Sequence, residues 1–263
     1  MANKRFWVLN RRQAAIGLLI LFLAAVVVVL AAAIIPYAYA HVTAAPEEAI
    51  PICCTDRADR VVSLSFDAAW GDGDVDELIR VLDRHGVKAT FFVTGDWVDR
   101  CEDSVEALHE AGHEIMNLSN SYPNMTHLSR DNLLAEIRTA SDKIQAVTGT
   151  RPSLFRAPYG AYNQELMETL DSLQMQGIRW NIDSLDWNGL SAQEMTQLVV
   201  REAEPGSILL FHVAAAHTAQ ALDGILEALR AEGYTFLPVS EMIYTQEYIL
   251  NAEGRQIRLS APT

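Results

Sequence analysis

From Arg60 onward the chain switches repeatedly between a period of two and a period of 3.6 in its apolar positions. Val61-Val62-Ser63-Leu64-Ser65-Phe66 predicts a strand, and 74–84 predicts a helix with Val75, Leu78, Ile79 and Leu82 on one face. The pattern continues with a strand over 87–93, a helix over 104–111 and a strand over 113–116. A longer helix over 129–147 follows, with Ser129 placed to cap it and Gly149 just past its end. Strands are then predicted at 154–155, 178–181, 208–211 and 235–237, with helices at 164–173, 192–202 and 219–231 between them. Strand and helix alternating in this way imply parallel pairing, as a barrel or as an open doubly wound sheet.

Two observations favour the barrel. No Gly-x-Gly-x-x-Gly follows the first strand, which weakens a dinucleotide reading. Polar residues instead follow the ends of several strands (Asp67, Asn117, Arg156, Asp183, His212), as expected where strand C-termini converge on one face.

The N-terminal pattern is of another kind. Ala14 to Ile35 holds no charged residue, and such a helix crosses roughly 30 Å of hydrocarbon. Lys4, Arg5, Arg11 and Arg12 precede it, which places that end in the cytoplasm and the remainder outside. Ala38-Tyr39-Ala40 has the small-x-small form of a signal-peptidase site, but the apolar run is longer than the ~7–15 residues of a cleaved signal, so an uncleaved anchor is the better reading. The expected order is a cytoplasmic tail (1–13), a transmembrane anchor (14–36), a linker (37–59), a barrel (60–243) and a C-terminal extension (244–263). The extension either packs back on the barrel or forms a hairpin around Gly254.

Past the anchor the chain has 16 basic against 34 acidic side chains, a net of −18. Such a surface repels phosphate backbones, and nucleic acid is excluded as a partner. Cys53, Cys54 and Cys101 are an odd set without Cys-x-x-Cys spacing; they fit neither a complete disulfide framework nor a zinc site and are read as incidental.

Each polar residue at a strand end has two readings. Asp67 can serve as a general base or cap the following turn. Arg156, before Pro158-Tyr159-Gly160, can orient a carboxylate through its planar fork or brace the turn. Asp183 and Asp186 can hold an imidazole or a sugar hydroxyl, or cap turns; Trp187 can stack on a pyranose or pack in the core. His212 can act as a general acid oriented by a carboxylate, or be a satisfied core histidine.

Taken in order, Ser65-Phe66-Asp67, Gly112-His113-Glu114-Ile115 running to Pro123, Arg156-x-Pro158-Tyr159-Gly160, Asp183-x-x-Asp186-Trp187 and Leu210-Phe211-His212 resemble the five motifs of the polysaccharide deacetylase family, the NodB-homology domain of carbohydrate esterase family four. The forms Phe66-Asp67-Ala68-Ala69-Trp70-Gly71 and Asp183-Ser184-Leu185-Asp186-Trp187 look most like its sporulation-associated cell-wall branch. The resemblance implies a distorted, incomplete (β/α) barrel of about seven parallel strands, here preceded by one transmembrane helix. It implies a metal-dependent N-deacetylase of peptidoglycan or chitin-like glycans, with zinc or another divalent ion as Lewis acid. Under it, Asp67 matches the catalytic base, Arg156 the residue holding that base, His212 the catalytic histidine and Asp183 the carboxylate tuning it; Trp70, Tyr159, Asp186 and Trp187 are assigned to substrate binding.

The metal positions depart from the pattern. Ala68 stands where the family has Asp, and Leu118 and Tyr122 stand where it has two histidines. Ala and Leu have no lone pair, and a phenol is a poor zinc ligand. The expectation is therefore no bound metal, no hydrolysis and a retained glycan-shaped groove: a membrane-tethered pseudoenzyme at the cell wall. One alternative is an active deacetylase with a relocated metal among Asp67, Asp72, Asp74, His127 and His212; another is a structural protein of a sporulation-type envelope assembly. His113 is read as structural and His217 as lying beyond the site, while Val213 and Ala214 make the groove less polar.

Overall fold

The computed structural model describes residues 49–259 and, in the N-terminal apolar run, Leu23, Ala25 and Val26. Those three positions apart, the expected tail and anchor and the Ala38–Ala40 site lie outside the described residues. Among the described residues no helix is long and apolar enough to cross a membrane.

The central strand, β2 (Val61–Ala68), is buried along its whole length, following the short β1 (Cys54–Thr55). Its sequence alternates, and so do its environments. Val62, Leu64, Phe66 and Ala68 face the main apolar cluster beneath the helices, which leaves Ser63, Ser65 and Asp67 in a file on the opposite face. Around it run β3 (Thr90–Val93), β4 (Glu114–Asn117), β5 (Leu154–Phe155), β6 (Gln176–Gly177), β7 (Ile182–Asp183) and β8 (Ile208–His212), in the spatial order β6-β5-β4-β3-β2-β8-β7. All pairs are parallel, and β9 (Thr235–Phe236) joins the start of β2. The rings of Phe66, Phe91 and Phe211, one from each of three adjacent strands, stack at centroid distances of 4.8 and 5.3 Å.

The barrel is incomplete because its edge strands β6 and β7 are joined by 178–181 rather than by a ladder. The strand predicted over 178–181 is therefore not one strand. Ile178 makes a single bridge with Ile52, and two-residue strands lie on either side. The helix predicted over 104–111 is the second of a pair, Gly95–Arg100 and Glu102–Glu110. The first is too short to show a helical period; Thr94 caps it and the buried Trp97 anchors it.

The end of the expected linker belongs to the fold. Ile52 donates to Gly177 and Thr55 to Gly206 through their amides, and residues 51–55 are buried. The reason is an open sheet edge that requires a backbone partner. β10 (Tyr248–Leu250) and β11 (Arg255–Arg258) form an antiparallel hairpin, and β11 runs parallel to β1, so the C-terminal extension both turns around Gly254 and packs back. This seam buries Cys53 and Cys54 as free thiols with sulfurs 3.4 Å apart.

Candidate functional site

The register of β2 and β8 sets Asp67 beside His212 at the C-terminal rim. Arg156, just after β5, reaches this rim from the other side of the barrel. Its Nη1 donates to Asp67 Oδ1 and its Nη2 to Ser65 Oγ, each at 2.8 Å, while the guanidinium lies 4.1 Å over the Phe92 ring. The pair is almost dry, with Arg156 fully buried and the Asp67 side chain 4% exposed. Burial pulls the Arg156 pKa down, against the opposing pull of Asp67. Ser65 is a member of the site that sequence reasoning missed; its i,i+2 spacing from Asp67 on one strand face was the available signal.

His212 is oriented by Asp186. The Asp186 Oδ1 lies 2.7 Å from His212 Nδ1, and its Oδ2 accepts both the His212 amide at 2.7 Å and the Thr218 hydroxyl at 2.8 Å. This corrects the assignment of Asp183 as the tuning carboxylate and of Asp186 as a sugar contact. Asp183 accepts the Leu185 amide at 2.8 Å and caps the turn. Leu185 is left-handed (φ 56°), which reverses the chain so that the second aspartate, not the first, points back to β8. Burial works against the imidazolium, but the Asp186 bond, with Asp67 and Asp183 nearby, outweighs it and raises the His212 pKa. A carboxylate on Nδ1 places the proton there and leaves Nε2 without a protein partner.

These groups form the floor of a cleft of about 660 Å³. Its walls include Trp70, Tyr122, Tyr159, Trp180 and Trp187, with Val213 to Ala216 opposite. Tyr122 lies edge-on to Trp70 at 5.1 Å and to Tyr159 at 5.0 Å, whereas Trp70, Tyr159 and Trp187 are more than half exposed at the mouth. Trp180, also 5.4 Å from the Arg156 guanidinium, was not anticipated; nothing in a lone Trp after Arg179 marks it as a wall. Three non-glycine residues that line the cleft have positive φ (Tyr122 61°, Tyr159 61°, Ala214 66°), and Leu185 (56°) does so between the lining residues Asp183 and Asp186, a concentration of strain typical of functional sites. Asp74 braces one of them. It stands at a helix N-terminus but makes no cap, and its Oδ1 instead accepts the Ala214 amide at 2.8 Å.

The positions that would hold a divalent ion do not fit one. Ala68 and Leu118 are fully buried in apolar clusters, and Tyr122 is held among rings with its phenol pKa pushed up by burial. The relocated set does not converge either. Asp72 accepts the Ser104 hydroxyl, Asp74 holds the Ala214 amide with Oδ1 while its Oδ2 is buried without a partner, and His127 is exposed on the turn Met125–His127. No group of three His, Cys, Asp or Glu suited to a metal occurs among the described residues. His113 is buried at a strand start, where its Nδ1 accepts the Ala89 amide, and burial, with Lys88 nearby, lowers its pKa to about 4. His217 is exposed at the start of the helix Thr218–Ala231.

Fold and site together describe an incomplete (β/α) barrel with a sugar-sized, aromatic-walled cleft over an Asp–Arg pair and a carboxylate-held histidine. The polysaccharide deacetylase family model matches residues 55–178, and the chain belongs to that family. It is 27% identical over 193 residues to the peptidoglycan-N-acetylmuramic acid deacetylase PdaA of Bacillus subtilis, covering 72% of this chain and 73% of that one. Among solved structures it resembles wild-type BA3943 from Bacillus anthracis, described as a carbohydrate esterase family four pseudoenzyme, with TM-score 0.72 and 27% identity over 81% of this chain and 74% of that one. A BA3943 mutant described as having restored enzymatic activity aligns with TM-score 0.72 and 31% identity, over 74% and 71% of the two chains.

Proposed function

We propose that this protein is a non-hydrolytic member of its family, tethered to the outer face of the cell membrane through 14–36, which binds peptidoglycan-type glycan strands in the aromatic cleft. One observation carries the reading: the three positions where the family resemblance calls for metal donors hold Ala68, Leu118 and Tyr122, two of them sealed in apolar packing. A Lewis acid in this chemistry would polarise the amide carbonyl and activate water, a contribution of several kcal/mol to the barrier. The chain's own residues do the remaining work. Trp70, Tyr159 and Trp187 offer exposed ring faces to pyranose rings, while Asp67 and His212 present an acceptor and an imidazole edge on the floor. The kinship with a peptidoglycan deacetylase supports the ligand class, and the likeness to a pseudoenzyme that a mutant returned to activity supports a degenerate site in an otherwise intact frame.

The test combines metal analysis, acetate release and glycan binding on the purified protein. Binding of N-acetylated oligomers is expected to survive chelator, to occur without acetate release, and to weaken about tenfold in Trp187→Ala. The triple change Ala68→Asp, Leu118→His and Tyr122→His is expected to gain both metal and turnover. Near-stoichiometric divalent metal with acetate release from the unaltered protein would refute the proposal.

A further inference from the structure

We infer that the cleft selects glycans bearing a free amine, sugars of the glucosamine type, over their N-acetylated forms. This inference rests on the glycan-binding reading above and specifies its ligand. It begins with charge. Arg156 balances Asp67, and His212 balances Asp186 when protonated. Asp183 is a third carboxylate lining the same cleft, and among the described residues it makes no ion pair. Its Oδ1 accepts the Leu185 amide, and its Oδ2 has no protein donor. The second oxygen of Asp67 is similarly free, on a side chain only 4% exposed that lines the floor. The floor therefore holds more negative charge than the protein neutralises, and two carboxylate oxygens on it are free against one imidazole edge, that of His212.

The walls favour the same ligand. Trp70, Tyr122 and Tyr159 form a run of rings in edge contact above Asp67, and a cation against such faces gains attraction that grows as water leaves. A sugar ammonium brings three donors and a positive charge to free carboxylate oxygens and ring faces. An acetamide brings one donor, an additional acceptor and a methyl group, and no charge to set against the free carboxylate oxygens; its carbonyl oxygen finds only the His212 edge on the floor.

The experiment is a calorimetric titration of the full chain, in detergent, with three tetrasaccharides: chitotetraose, its fully deacetylated glucosamine counterpart and nitrogen-free cellotetraose. The glucosamine tetramer is expected to bind about tenfold or more tightly than chitotetraose. That preference is expected to collapse in Asp183→Asn and in Trp70→Ala, and to persist in Glu106→Gln and Glu227→Gln, which remove exposed surface carboxylates. Circular dichroism melts verify that each variant is folded, and either cleft variant suffices. Equal or reversed preference in the unaltered chain overturns the inference while leaving glycan binding intact. Preference that persists in both cleft variants assigns it to general surface charge and also overturns it. If none of the three binds, the glycan-binding reading falls as well.

Discussion

A guanidinium with no water around it is stable only while its counterion stays in place. Arg156 spans 89 positions to reach Asp67, and its Nε is buried without a partner. Removing one charge strands the other, so Arg156→Met is expected to destabilise the fold by roughly 3–5 kcal/mol, whereas Asp67→Leu with Arg156→Met recovers much of that loss. Urea denaturation of the two singles and the double measures it; simple additivity would mean that the pair is not coupled. His212 offers a second measurement. NMR titration should place its pKa above the ordinary histidine value, with a fall in Asp186→Asn that is larger than in Asp183→Asn. The sign follows from a folded pKa raised above the unfolded value near 6.5: the stability it adds is complete below that pH and is lost as pH rises through the folded pKa. Sequence placed Asp67, Arg156 and His212 at strand ends, and they do meet. It assigned the histidine's carboxylate to Asp183 rather than Asp186, because the choice depends on the left-handed turn at Leu185, a conformation leucine does not advertise.

Elements differ in how much of themselves they carry. The helix Arg130–Thr148 is legible because it buries Leu133, Ile137, Ala140 and Ile144 at helical spacing and ends at a left-handed Gly149. The strand Leu154–Phe155 was legible as an apolar pair, but Gln176–Gly177, equally short, exists because a neighbouring strand offers a ladder. The seam of β1 with the C-terminal hairpin has the same dependence, and a linker-like composition hid it. That seam turns at Gly254, with φ 84° and Pro51 O only 2.5 Å from where a Cβ would stand. Gly254→Ala is expected to loosen the hairpin by about 1–3 kcal/mol and to expose the thiol beneath it. Cys53 should then react faster with a thiol reagent, the more so because its bond to Cys54 outweighs burial and lowers its pKa to about 7. An unchanged labelling rate would mean that the hairpin does not guard the sulfur.

At the scale of the whole molecule, alternation of strands and helices anticipated parallel pairing, since parallel strands with helices between them pack stably in few ways; the polar strand ends pointed to a barrel, and its incomplete closure was implied by the family resemblance. Chemistry was harder to read. Asp67, Arg156 and His212 gather at the rim, yet the pairing of Asp186 rather than Asp183 with His212, the wall at Trp180, the brace from Asp74 to Ala214 and the Ser65 contact depend on chain reversals that only the folded state defines. The acidic surface, net −14 over the full chain, is consistent with a cationic or neutral sugar rather than an anionic polymer as ligand.

Three left-handed side-chain-bearing residues, Tyr122, Tyr159 and Ala214, line the cleft, and this has a consequence for how the protein trades robustness against recognition. Replacing Ala214 by glycine relieves a backbone that disfavours a Cβ, so Ala214→Gly is expected to raise thermal stability by up to about 1 kcal/mol. The same relief lets the rim breathe, and sugar affinity should decline as the melting temperature climbs. On the proposed glycan-binding reading, the taut corner is the cost of a rim held rigid in its ligand-ready shape.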